Sequence, residues 1–236
     1  MERIRMALEP AIPVEDFDAL RRLDTCTVSN AIETFQLRLR NAGFANSRVR
    51  CLSKDLPPMV GYAATARLRS GEPPIAGSYH DRTDWWNSIL RVPAPRIAVL
   101  QDLDEPPGVG AFLGDMHAAI LRALGCVGYV TNGAVRELPR VRDMGLHLFA
   151  GNVAVSHAYA HIFDFGSPVN VGGLEVRPSD LLHGDGHGLL IVPKRIASEI
   201  PAAAAKLQAA EHRVIRLCQS QEFSVERLRQ VLEELS

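Results

Sequence analysis

Two short stretches of this 236-residue chain bring together groups able to do chemistry. The first, PPGVGAFLGDMH over residues 106–117, is a glycine- and proline-rich loop running into a helix start. Free backbone amides and the helix dipole make such a start a seat for an anion, a carboxylate or a phosphate. The second, TNGAVRE over residues 131–137, follows an apolar run and delivers Arg136 and Glu137 side by side. A guanidinium can grip a substrate carboxylate with two prongs, and a carboxylate can hold a hard cation such as Mg²⁺ or Mn²⁺. A plainer reading also stands: Glu137 as an acidic residue favoured in a first helical turn, and Arg136 as a solvated charge.

Two further stretches carry polar and aromatic groups. If residues 153–163 form a strand, His157, Tyr159 and His161 project to one face, because side chains alternate with period two. Their plainer reading is a pair of edge histidines satisfied by neighbours. HDRTDWW, residues 80–86, reads as an irregular loop that covers a pocket, or whose Trp85 and Trp86 are packing or subunit-contact residues.

The elements that must position these groups follow from periodicity. Residues 14–23 and 27–35 have helical spacing, the second with Thr27 or Ser29 as its cap. Residues 60–68 and 96–101 read as strands, with an irregular stretch over 71–86 between them. A helix over 115–124, a strand over 127–131, a helix over 137–144 ending at Gly145 and a strand over 147–149 then give the alternation of a parallel α/β layer. Residues 153–165, 169–176 and 181–192 look like strands joined by glycine turns, and a helical tail follows from Pro193, with Pro201 expected to break or kink it. We read residues 1–236 as one domain, with a core over about 20–193 and a tail over 194–236.

Composition removes several classes of function. With 26 Lys+Arg against 27 Asp+Glu, the net charge of -1 gives no electrostatic case for nucleic acid or an anionic membrane. No stretch reaches the roughly 18 apolar residues of a membrane span. Residues 1–9 alternate charges where a signal core would be apolar, so the expected location is the cytoplasm. Cys26, Cys51, Cys126 and Cys218 are widely spaced and read as small buried hydrophobes, suggesting neither a thiolate zinc site nor a disulfide framework.

In combination the motifs resemble the family of RraA-like proteins and 4-hydroxy-4-methyl-2-oxoglutarate aldolases. GDMH at 114–117, then GCVGYVTNGAVRE at 125–137, LHLFA at 146–150 and VRPSD at 176–180 followed by GDGHGLLIVP at 184–193 fit that family's pattern in order and spacing, and LDTCTVSNA at 23–31 fits near its start. The resemblance covers roughly residues 20–215.

It implies an α/β/α sandwich with swivelling β/β/α character and helical additions at both ends, assembled as a homotrimer or a dimer of trimers with active sites between subunits. It also implies a metal-dependent class II aldolase or oxaloacetate decarboxylase that releases pyruvate from small 2-oxo or 2-hydroxy polycarboxylic acids, with Mg²⁺ or Mn²⁺ as cofactor. By position, Arg136 would bind the oxo acid, Glu137 would ligate the metal where the pattern has aspartate, and Asp115 would hold water on it. Gly114 would help bind the substrate, the amides of Met116 and His117 would receive the pyruvyl carboxylate, and Glu211 from an adjacent subunit would assist the metal. His157, Tyr159 and His161 stand where the aldolases carry basic residues, which implies a different substrate. The same family includes a non-catalytic inhibitor that binds ribonuclease E, and this is the rival function.

Overall fold

The computed structural model describes residues 12–76 and 80–235, so the charged segment over residues 1–9 lies outside the described residues. The chain opens with helices α1 (Val14–Arg21) and α2 (Thr25–Glu33), then strands β1 (Arg50–Cys51) and β2 (Met59–Arg69) and helix α3 (Arg82–Leu90). Next come β3 (Arg96–Asp102), β4 (Ala111–Leu113), α4 (Asp115–Ala123), β5 (Cys126–Thr131), β6 (Ala134–Val135), α5 (Leu138–Asp143), β7 (His147–Ala150) and β8 (Asn152–Val153). β9 (His161–Phe165), β10 (Val169–Val171), β11 (Leu174–Val176), β12 (Leu181–Asp185) and β13 (Gly188–Val192) complete the strands, and α6 (Ile200–Cys218) and α7 (Val225–Leu235) form the tail.

The main sheet runs β1-β7-β5-β3-β2-β12-β13, with β9 also paired to β2. β2, β3, β5 and β7 are mutually parallel neighbours, as the strand–helix alternation predicts, and the later strands add antiparallel edges. β2 is buried along nearly its whole length because both of its faces are covered. One face packs Val60, Tyr62 and Leu68 against Leu20, Ile32, Trp85 and Ile200 from the helices. The other packs Met59 and Ala63 against Val169, Val171 and Val176 of the β10–β11 hairpin. A helical layer, a sheet and a hairpin layer therefore make up the expected mixed α/β fold, with helices at both termini.

Several local expectations change. α2 is capped by Asp24, whose side chain accepts the Thr27 amide at 2.9 Å, so neither Thr27 nor Ser29 is the cap. The irregular stretch ends in α3, where Asp81 accepts the Thr83 amide at 2.6 Å and Trp85 and Ile89 bury one face. Pro201 sits in the first turn of α6, where its missing N–H would have no helical partner, and the helix continues to Cys218. Cys51 and Cys126 are buried as expected, but Cys26 and Cys218 are exposed, and all four are free thiols. No helix among the described residues is long and apolar enough to cross a membrane.

The strand predicted over residues 153–165 is broken. Only β8 and β9 are extended, and residues 154–160 form a loop in which Ala158 adopts φ 42°. A left-handed residue destroys period-two alternation, so His157, Tyr159 and His161 do not share a strand face. The loop is pinned across the molecule instead: the Ala111 amide donates to Ser156 O at 3.0 Å and the Tyr159 amide donates to Ser70 O at 3.1 Å.

Candidate active site

A second, small sheet positions the site. β4 and β6 pair in parallel, with Ala111 opposite Ala134 and Leu113 opposite Val135, and β8 pairs on the far side of β6. The Arg136 amide donates to Leu113 O at 3.0 Å. Because parallel strands end at the same edge, the residues after β4 and those after β6 emerge beside each other. Those residues are Gly114-Asp115 and Arg136-Glu137, brought together from the two separate loops read in the sequence. The sheet is anchored to the main one through Asn132, whose side chain accepts the Asp102 amide at 2.7 Å and donates to Asp102 O at 2.9 Å.

α4 begins without a side-chain cap of its own, since Gly114 has none to offer. Glu137 supplies the missing acceptor from the neighbouring loop: its Oε2 accepts the Asp115 amide at 2.9 Å while its Oε1 accepts from Arg136 Nη2 at 2.7 Å. To reach there Glu137 adopts φ 58° and ψ 36°, a left-handed conformation that costs a non-glycine residue on the order of 1–3 kcal/mol. Glu137 therefore precedes α5 as its N-cap residue and turns its carboxylate toward α4, which replaces the plainer reading of an ordinary first-turn acid. The Arg136 hydrogen bond, and then the Asp115 amide, hold its carboxyl down to about 2, so it is a carboxylate at neutral pH.

Asp115 is engaged as well. Its Oδ1 accepts the Met116 amide at 2.7 Å and its Oδ2 accepts from Arg140 Nη1 at 3.0 Å. One of the two amides expected to receive substrate is thus already donating to a protein carboxylate.

Gly114, Asp115, Met116, His117, Arg136 and Glu137 line one hollow of about 360 Å³. His157 also lines it, and with Tyr159 and His161 it lines an adjoining hollow of about 530 Å³. Both histidines donate Nδ1–H to a nearby carbonyl, His157 to Ala158 O and His161 to Tyr159 O, each at 2.7 Å. Glu211 lies on α6 and does not line either hollow of its own chain.

The donor set suits a hard cation in kind. Asp115 and Glu137 are adjacent carboxylates, and Mg²⁺ commonly takes one or two of these and completes its shell with water and substrate oxygens. Among the described residues there is no grouping of three or more His, Cys, Asp or Glu side chains able to hold a metal. Two carboxylates are what this chain offers at the hollow.

Arg82 and Phe112 also line the first hollow, and sequence reasoning did not single them out. Arg82 lies in the polar–aromatic stretch noted above, but nothing local marks it. Its guanidinium lies 5.8 Å from the centre of the Phe112 ring, and Phe112 in turn meets His117 at 4.8 Å between ring centres.

His117 is 8% exposed and its Nε2 has no hydrogen-bond partner among the described residues. Burial, assisted by the Arg82 charge, pushes its pKa down to about 4. The unfolded chain takes up this proton near pH 6.5 and the folded one only near 4, so stability falls as pH drops through that interval. Between pH 7 and pH 5 the parent should lose roughly 2 kcal/mol more stability in urea titrations than His117→Leu does. Equal losses would show that His117 does not titrate in this way.

A family model described as RraA-like, Aldolase/RraA, matches residues 25–191. A candidate 4-hydroxy-4-methyl-2-oxoglutarate aldolase of Halalkalibacterium halodurans is 29% identical over 100 residues, 42% of this chain and 48% of that protein. The chain spans about half the length of the curated aldolase relatives it matches. An uncharacterized protein from Pseudomonas syringae pv. tomato has the same fold, with TM-score 0.72 at 22% identity over 98% of this chain and 99% of that one. So has Streptomyces coelicolor RraAS2, an unusual member of the RNase ES inhibitor RraA protein family, with TM-score 0.68 at 24% identity over 87% of this chain and 100% of that one. Since the matched segment takes in α2 to β13 and both loops of the site, this chain belongs to the RraA-like, aldolase/RraA family.

Proposed function

We propose that this chain is a divalent-metal-dependent carbon–carbon lyase that releases pyruvate from small 2-oxo or 2-hydroxy polycarboxylic acids, by retro-aldol cleavage or by decarboxylation of oxaloacetate. The observation that carries this reading is the parallel β4–β6 pair, which gathers the α4 start, the Arg136 guanidinium and the carboxylates of Asp115 and Glu137 around one hollow. Its relatives' names support the lyase class.

In this reading the α4 amides bind the carboxylate next to the oxo group, and Asp115 Oδ1 swings off the Met116 amide to admit it. Asp115 and Glu137 hold Mg²⁺ or Mn²⁺, which when bound supplies Lewis-acid polarisation of the oxo group. In oxaloacetate the C3–C4 bond breaks, CO₂ departs and the electron pair moves onto the enolate, whose oxygen Arg136 stabilises by charge-assisted hydrogen bonding. A water molecule oriented by Asp115 then gives its proton to C3 and completes pyruvate. Met116 and Val155 stand exposed at 60% and 97% beside this machinery, an apolar rim that suits a subunit boundary. The proposed assembly is accordingly a homotrimer or a dimer of trimers in the cytoplasm, with Glu211 reaching the metal from a neighbour.

Pyruvate release from oxaloacetate should require Mg²⁺ or Mn²⁺ and stop when a chelator is added, as a coupled assay would read. No metal-dependent turnover of any oxo acid would favour the rival, a protein-binding regulator of the ribonuclease E inhibitor type.

A further inference from the structure

The cations in and beside the first hollow are not all held in ion pairs. Arg136 is paired to Glu137 at 2.7 Å and Arg140 to Asp115 at 3.0 Å. Arg82, the third cation, makes no ion pair among the described residues and lines both hollows. It is the first residue of α3, a helix fixed by its Asp81 cap and by the fully buried Trp85, which meets Phe112 edge-on at 5.4 Å. The Phe112 face carries the Arg82 guanidinium, so the charge is stacked against the wall of the site. His117, more than nine-tenths buried, also packs on that ring, and its Nε2 has no hydrogen-bond partner among the described residues. A guanidinium with no ion pair and an imidazole nitrogen with no hydrogen-bond partner among the described residues thus both pack on the Phe112 ring.

We propose that Arg82 is the receptor for a second carboxylate of the substrate, so that the site selects dicarboxylic over monocarboxylic oxo acids. The substrate would lie from the α4 start to the junction of the two hollows, where Arg82, His157 and Ala160 line both. Its oxo-acid end sits as the lyase reading requires, and on that reading this assignment rests. A guanidinium can meet the far carboxylate with two parallel hydrogen bonds, which a point charge does not reproduce.

The test uses two probes that neither decarboxylate nor undergo retro-aldol cleavage: 2-oxoglutarate, with two carboxylates, and 2-oxobutyrate, with one. Calorimetry with the intact chain in Mg²⁺ buffer should show 2-oxoglutarate binding about 10-fold or more tightly than 2-oxobutyrate, the size expected for a charge-assisted hydrogen bond. Arg82→Ala should abolish that preference while leaving 2-oxobutyrate affinity unchanged, and Arg82→Lys should keep part of it. Equal affinities in the parent, no binding of 2-oxoglutarate, or a preference that survives Arg82→Ala would each overturn the assignment. Arg82 is exposed, so its variants should fold like the parent, as a thermal melt would verify. Oxaloacetate turnover separates the two readings. Arg82-dependent selectivity without any pyruvate release sinks the lyase alone, whereas turnover with a KM unmoved by Arg82→Ala sinks this inference alone.

Discussion

Arg136→Ala should reduce pyruvate release from oxaloacetate by about 10²–10³-fold, the usual cost of removing one preorganised donor to a developing oxyanion. Fold and assembly should be nearly untouched. The side chain's contacts are the Glu137 carboxylate at 2.7 Å and a long 3.4 Å bond to Val155 O, neither of which holds the core together. Sedimentation should give the same molecular mass for parent and variant. The variant also frees Glu137 from the chief cause of its depressed pKa, so its carboxyl should titrate closer to the ordinary glutamate range. On acidification, activity remaining after the substitution should then be lost at a higher pH than in the parent, because the proposed metal site needs the carboxylate. Arg136→Lys restores charge without the planar fork and should recover only part of the loss. Activity within a few-fold of the parent in Arg136→Ala would remove Arg136 from the chemistry.

The groups of this site were readable in the sequence because glycine and helix-start signals mark both loops, and their convergence on one hollow was expected from the family resemblance, whereas no local pattern shows the strands that bring them together. β4 and β6 are three and two residues long, too short to show period-two alternation, and they pair with each other across more than twenty residues of chain. The capping of α4 by Glu137 is likewise non-local, so local rules placed that residue in the first turn of the next helix, where it is the residue before α5, and missed where its carboxylate goes. Residues 153–165 misled in the opposite way: the alternation looked like one strand, but bonds to Ala111 and Ser70 draw the middle into a loop around Ala158. Arg82 had no local signature, since its meaning comes from Phe112 and His117, thirty or more positions along the chain. The parallel layer was legible because its strands are long, apolar and separated by helices, so burial on both faces writes itself into composition.

Gly114→Ala should cripple the site through space alone. Gly114 has φ -131° and ψ -165°, which alanine adopts freely, so no backbone strain opposes the change. A Cβ there, however, would stand 2.4 Å from Glu137 Oε2, and 3.4 Å from both Cγ and Nε of Arg136. The carboxylate must retreat, which breaks its bond to the Asp115 amide, bares the start of α4 and shifts the partner guanidinium. We expect a loss of about 10²-fold in turnover, in line with misplacing an electrostatic group by an ångström, and a weaker Mg²⁺ or Mn²⁺ titration. Stability should drop by no more than about 1 kcal/mol, the scale of a lost helix cap. Shortening the neighbour tests the cause: Glu137→Asp withdraws the carboxylate by one methylene, so Gly114→Ala combined with Glu137→Asp should be more active than Gly114→Ala alone. A double-mutant cycle would report that coupling directly. Additive losses would mean that Gly114 and Glu137 act separately, and that the carboxylate resting on the α4 start is not what organises this site.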